Sequence, residues 1–163
     1  MERAERLLRA HLYYRPSHLR RYSPSRKRYD IEIGQGLFSS RDIAANTHIV
    51  YFVGELITDT VTLNARSVRN NRGGYVLSNV TKTAGLDCYE TCARGQCLAS
   101  FSNSPYNCYN IVRQRTAAAN ARLTVRSLGN GEYIWGLIST VAIPAHEEIL
   151  WNYGANYMYP EID

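Results

Sequence analysis

The chain has 163 residues, 45% apolar and 20% charged. That balance suits one folded domain and excludes both a disordered tail and a membrane-embedded protein. No apolar run comes near the roughly 18 residues a spanning helix needs, and the opening MERAERLLRAHLYY lacks the continuous apolar stretch of a secretory signal, so a soluble domain with no membrane partner is expected. The net charge of +5 is held unevenly: residues 1–29 carry nine Lys/Arg against two Glu, a net +7, and residues 30–163 carry ten basic against twelve acidic side chains, a net −2.

In chain order, residues 2–14 have a partial apolar face (Leu7, Leu8, His11, Leu12) that predicts a short helix. Pro16 and Pro24, among serines and arginines, break regular structure after it. The basic stretch 1–28 therefore reads as an extension ahead of a body at 29–163. It is a solvated arm, a contact for nucleic acid or a chromatin neighbour, or an Arg-rich organelle leader. From Tyr29 onward short apolar runs alternate with turn residues, which predicts a mainly β fold with minor α. Strands are expected at 29–33, 48–53, 55–58, 75–79, 109–113, 121–127, 132–139 and 146–151. Thr58 or Asp59 is placed to cap a helix running to about Arg69. The Asn130-Gly131 step predicts a hairpin that pairs 121–127 with 132–139. No strand–helix alternation of the βαβ type is present, which argues against a Rossmann sheet.

Four cysteines stand at 88, 92, 97 and 108. Their C-x3-C-x4-C-x10-C spacing lies outside the paired zinc spacings, and no histidine is near them in sequence. Buried or half-buried free thiols are expected rather than a metal, with a disulfide as the alternative. Gly34-Gln35-Gly36-Leu37-Phe38 follows a strand candidate directly; glycine there permits positive φ and close approach of the backbone to a ligand, although a tight turn alone would use the same residues.

Taken in order, GQGLFSSRDIAANTHIVYFVGELI, GLDCYE, ASFSNS, NARL and AIPAHEEILWNYG resemble the SET-domain protein methyltransferases over residues 29–159. The resemblance implies small curved β-sheets around a C-terminal pseudoknot, S-adenosyl-L-methionine as methyl donor, and a protein lysine, usually on a histone tail, as acceptor. It also implies that the backbone of Gln35, Gly36 and Leu37 holds the donor after a turn at Gly34, with Asn103 and Ser104 in the place of the family's Asn-His pair. Ser104 departs from the histidine of that pair, and Ser100 from the arginine before Phe101. Asn120 matches the asparagine of the family's Pro-Asn step, with Asn107 and Asn110 as rivals. Tyr75 matches the aromatic residue on the cofactor side, and a strand-core tyrosine would also account for it. Tyr153 matches the tyrosine at the point of methyl transfer. Phe52, Tyr75, Trp151 and Tyr157 would line the lysine channel, where the bulk of Trp151 favours a low degree of methylation. Asn152 replaces the usual aspartate, and Met158 a frequent tryptophan. The resemblance implies a minimal member without zinc-bearing flanking modules, and a nuclear location. The departures also keep open a catalytically silent, protein-binding SET-like module.

Overall fold

The structure is a computed structural model that describes residues 8–23, 25–67, 75–79, 83–105 and 119–153. Four small antiparallel sheets make up most of it. β1 (Leu12–Pro16) pairs with β4 (Gln35–Ser39), and β2 (Arg20–Ser23) pairs with β3 (Arg28–Glu32). β5 (His48–Tyr51), β10 (Tyr133–Ser139) and β9 (Ala121–Ser127) form a three-stranded sheet with β10 in the centre; β6 (Glu55–Ile57), β8 (Gly85–Asp87) and β7 (Val76–Ser78) form another around β8. Helices are short: α1 (Thr60–Ser67), α2 (Tyr89–Ala93) and a 3₁₀ turn at Leu98–Phe101.

Each expected strand within the described residues has its counterpart except the last. Residues 146–151 do not form one ladder; they make single bridges in sequence, Glu148 to Phe38, Leu150 to Asn103 and Trp151 to Ala121. A stretch pinned on one side by residue 103 and on the other by residue 121 has the placement a C-terminal pseudoknot requires. The strand expected at 109–113 lies outside the described residues. The expected hairpin forms, with Ser127 opposite Tyr133 and a five-residue connection between them, in which Gly129 and Gly131 are at φ 84° and 82°.

The N-terminal stretch differs from its expectation. Leu8 and Arg9 are helical, as expected, but Leu12–Pro16 is a strand rather than the end of that helix, and Leu12 and Leu19 are buried in the body. A helix has only a partial apolar face here, whereas β1 satisfies its backbone against β4 while Tyr13 stacks on Phe38, ring centroids 5.6 Å apart. β1 and Leu19 therefore pack with the strands of the body.

The core gathers Leu37, Ile43, Ile49, Phe52, Leu86, Trp135, Leu137, Ile143, Ile149 and Trp151. α1 is capped by Asp59, whose carboxylate accepts the Thr62 amide at 2.7 Å and is held below its ordinary pKa by that bond. Its Leu63 packs over β8, and its Arg66 bridges Glu55 (2.9 Å) and the buried Asp87 (2.7 Å), tying the helix across the β6–β8 pair. Among the described residues no helix is long and apolar enough to cross a membrane.

Backbone closeness at Gly54 fixes how β6 follows Phe52 and Val53. A methyl group there would run into the Asp87 carbonyl oxygen, with the Cys88 Cα at 3.1 Å, and neither is a flexible side chain. Gly54→Ala is expected to lower the unfolding free energy by about 1–3 kcal/mol, seen as a reduced urea midpoint.

Candidate functional site

The residues singled out on β4, in the 102–104 stretch and at 148–153 meet around one buried side chain, Glu148. Its Oε1 accepts hydrogen bonds from Ser17 Oγ at 2.6 Å and Asn103 Nδ2 at 3.1 Å; its Oε2 accepts the His18 amide at 3.0 Å. Gly36 faces the same oxygen: a Cβ at that position would collide with Oε1. The carboxylate fills the space a side chain at 36 would take, and this lets β4 lie against it.

Asn103 also donates from Nδ2 to the Gln35 carbonyl at 2.7 Å. The two stretches expected to hold a donor molecule are thus bonded directly to each other. Gly34 sits at φ 95° with open space where a side chain would stand, and both Gly34 and Gln35 are exposed, while Leu37 is fully buried in the core. Ser104 is also fully buried. Asn120 grips the backbone of the C-terminal stretch, donating from Nδ2 to the Glu148 carbonyl at 2.9 Å and accepting the Leu150 amide at 2.8 Å.

Beyond Glu148, three aromatic rings stand in series. Phe52 lies edge-on to Trp151 (centroids 5.8 Å), and Trp151 edge-on to Tyr153 (4.7 Å). Phe52 and Trp151 are buried; Tyr153 is half-buried and Asn152 exposed. Ser102 orients two of the three: its Oγ accepts the Trp151 indole N–H at 2.8 Å, and its carbonyl accepts the Tyr153 hydroxyl at 2.5 Å. Consecutive residues, Ser102 and Asn103, therefore hold the phenol on one side and the Gly34–Gln35 turn on the other.

Tyr75 stands apart from this cluster in its ring contact. It heads β7, edge-on to Tyr89 at 5.5 Å, and burial, followed by the nearby Cys92 and Tyr89, raises its phenol pKa. Tyr157, Met158, Asn107 and Asn110 lie outside the described residues.

Cys88, Cys92 and Cys97 are free thiols. Cys97 Sγ accepts from the Val53 amide (3.4 Å) and Ser100 Oγ (3.1 Å). Its pKa is lowered to about 6, first by the Cys88 thiol that hydrogen-bonds to it, while the same bond and burial push Cys88 upward. Ser100, which departs from the arginine expected before Phe101, is thus a hydrogen-bond partner of the Cys97 sulfur. Among the described residues no group of three His, Cys, Asp or Glu side chains is arranged to hold a metal ion.

Sequence reasoning missed Glu148, Ser17 and Ser102. The Glu147-Glu148 pair looks like an ordinary charged surface step. Only the alternation around it, Glu148 ahead of the buried Ile149 and Leu150 in a short apolar run, hints that one of the two carboxylates points inward.

The family model described as SET domain matches residues 34–154. Among solved structures, the polycomb repressive complex 2 of Chaetomium thermophilum superposes with a TM-score of 0.59 at 18% identity, covering 90% of this chain and 15% of that one. A structure of the complex in an autoinhibited conformation bound to S-adenosylmethionine gives 0.58 at 18% identity, with coverages of 90% and 15%. A humanized mutant of it bound to the inhibitor GSK126 gives 0.58 at 19%, again with 90% and 15%. At this identity the likeness establishes the fold alone, and the present chain spans about 15% of the length of those chains. No curated protein matches the chain.

Removing Glu148 would leave three donors without their acceptor. Glu148→Ala is expected to cost about 3 kcal/mol or more of stability in urea unfolding. Glu148→Gln should cost less, since its amide oxygen still accepts while its NH₂ opposes one donor. Equal losses in the two variants would show that the hydrogen bonds do not carry the stability.

Proposed function

This chain belongs to the SET-domain family, and we propose that it is an S-adenosylmethionine-dependent methyltransferase whose acceptor is a lysine of a protein, a histone tail in the nucleus. The observation that carries the proposal is the Ser102–Asn103 step, which ties the Tyr153 hydroxyl and the Gln35 carbonyl to adjacent residues. The mild acidity of residues 30–163, ten basic against twelve acidic side chains, suits a basic peptide.

The residues present fit the donor. The open, exposed backbone of Gly34 and Gln35 is accessible to a small molecule, and Asn103 fixes its inner side. Gly34 and Gln35 would hold it, with Asn103 behind the Gln35 carbonyl; Gly36, Leu37 and Ser104 are buried beneath them and would support that backbone rather than touch the donor. When bound, S-adenosylmethionine supplies a methyl group on a sulfonium, and the positive charge on sulfur is discharged as that methyl leaves.

The protein's own part is to present an uncharged amine in line. A lysine ammonium has no lone pair to attack with. The buried rings of Phe52 and Trp151 offer no hydration for the charge, which lowers the amine's pKa toward the neutral form. The Tyr153 hydroxyl already donates its proton to the Ser102 carbonyl. Its remaining capacity is as an acceptor, so it turns an N–H of the amine toward itself and the lone pair toward the methyl group. Catalysis then rests on positioning and on fixed dipoles rather than on a covalent intermediate.

Trp151 sets the room available. Its indole N–H is bonded to Ser102 Oγ, so the ring does not swing aside for a methylated amine. The product is of low methylation degree, and Trp151→Phe is expected to move it toward dimethyl and trimethyl lysine in mass spectra. Mainly trimethylated product from the unaltered chain would overturn this.

The central test pairs calorimetry of S-adenosylmethionine binding with transfer of a labelled methyl group to histones and cell-extract proteins. Tyr153→Phe is expected to reduce turnover by about a hundredfold or more and to leave donor affinity within a few-fold. Donor binding without any transfer would favour a catalytically silent protein-binding module, the reading that the departures Phe52, Ser104, Trp151 and Asn152 support. Absence of donor binding would remove the methyltransferase reading.

A further inference from the structure

Three of the four cysteines fall within ten consecutive residues, and none of them takes part in the methyl transfer proposed above. Cys88 caps the start of α2, Cys92 lies within it, and Cys97 opens the 3₁₀ turn Leu98–Phe101 that leads to Ser102. All three are free thiols; Cys88 and Cys97 are buried and Cys92 is half-buried. Their side chains converge. The Cys88 and Cys97 thiols hydrogen-bond to each other. The Ser100 hydroxyl donates to Cys97 Sγ at 3.1 Å and is within hydrogen-bonding reach of Cys88 and Cys92 as well.

The backbone holds this pair from the Phe52 side. The Val53 amide donates to Cys97 Sγ at 3.4 Å, and the Cys88 Cα lies 3.1 Å from where a Cβ on Gly54 would stand. Thr91 Oγ1 donates to the carbonyls of Val53 (2.5 Å) and Cys88 (3.1 Å), tying the same two stretches together. The two sulfurs differ in how they hold a proton. Hydrogen bonds from Cys88, first, and then from Ser100 and Val53 bring the Cys97 pKa down to about 6 against its burial, while the bond to Cys97 and burial push Cys88 upward. A thiol that gives up its proton readily beside one that keeps it suits a dithiol in which the first attacks and the second resolves.

We propose that Cys97 and Cys88 form an oxidation site for hydrogen peroxide, closing to a disulfide that turns methyl transfer down; the effect on transfer rests on the function proposed above. The Cys97 sulfur attacks one peroxide oxygen, the O–O bond breaks, and one water leaves with the thiol proton, giving a sulfenic acid. The Cys88 sulfur then displaces the hydroxyl as a second water. Two thiols are oxidised by two electrons in all, and one peroxide is reduced to two waters. Both sulfurs are buried, which excludes bulky disulfides and selects an oxidant near the size of water; the turn that runs into Cys97, Arg94-Gly95-Gln96, is exposed. The link reaches the site through two routes. The 3₁₀ turn begins at Cys97, and its Ala99 carbonyl accepts the hydroxyl of Ser102, the residue that orients Trp151 and Tyr153. Val53, bonded to the same sulfur, directly follows Phe52. Drawing Cys97 onto Cys88 therefore acts on both ends of the row of rings without contact with any ring.

The test treats the whole chain with hydrogen peroxide, blocks the remaining thiols and maps disulfides by peptide mass spectrometry, with methyl transfer measured before and after dithiothreitol. A Cys88–Cys97 link is expected, with turnover lowered about tenfold or more and restored by the reductant. Cys97→Ser and Cys88→Ser should each keep their turnover under peroxide, so either serves if the other melts early, whereas Cys92→Ser should remain sensitive. No link, or one that joins Cys92 or Cys108 instead, overturns the proposal. So does a link that leaves turnover unchanged, or a loss of turnover that persists in both serine variants. The link is read without methyl transfer: a chain that forms it but transfers no methyl group when reduced upholds the oxidation site and overturns the function proposed above.

Discussion

Both oxygens of the Glu148 carboxylate are taken, and the groups that take them come from β1's end and from the stretch ahead of the pseudoknot: Ser17, His18 and Asn103. Glu148 is only 5% exposed, so water does not substitute for any of them. A carboxylate in such surroundings is tolerable only when it is fully hydrogen-bonded; displacing one donor leaves part of a buried charge unsatisfied. This all-or-nothing condition fixes three segments that are distant in sequence to one point. The absence of a side chain at Gly36 belongs to the same condition, because the carboxylate oxygen stands where a Cβ would. The exposed turn at Gly34 and Gln35 is thus held from beneath by a bond that does not occupy its outer face.

Ser102 extends the same logic to the aromatic side. Its hydroxyl donates to the Ala99 carbonyl at 2.5 Å, which leaves the oxygen's lone pairs to receive the Trp151 indole. Its carbonyl takes the Tyr153 proton. Two ring orientations are set by one residue that is itself fixed by the preceding 3₁₀ turn. Phe52 joins them through a backbone bond from its amide to the Trp135 carbonyl at 2.8 Å, so the row of rings is anchored to the central strand β10. Polar groups here do no packing of their own; they decide which way large apolar groups face.

These relations explain what the sequence could and could not disclose. The β9–β10 hairpin was legible because its determinants are local: alternation on both arms and Asn130-Gly131 between them. Tyr153, Asn103 and the Gly34–Leu37 stretch were legible as motif positions, and the structure brings Asn103 and Gln35 into direct contact. β1 was not legible, since the apolar spacing of Leu8, His11 and Leu12 runs on past the helical residues Leu8 and Arg9, and only pairing with β4 makes a strand from Leu12. β8, three residues including a glycine and an aspartate, has no strand signature of its own; it exists because β6 and β7 flank it. Glu148 hid for the same reason: a charged residue reads as surface until its partners are known, and those partners lie some 45 and 130 residues away in the chain.

The part of the molecule matched by the SET-domain model begins at Gly34, yet the site does not. β1 covers the outer edge of β4, and the Ser17 amide donates to the Gly34 carbonyl at 2.9 Å, fixing the turn from the N-terminal side. Without that segment, Glu148 would lose two of its three donors, and β4 would present an open edge. The N-terminal residues are therefore a structural member of the site rather than an appendage to it. The β2–β3 pair starts from this fixed point, since the His18 amide is bonded to Glu148 and Arg20 to the Ser17 and Leu19 carbonyls.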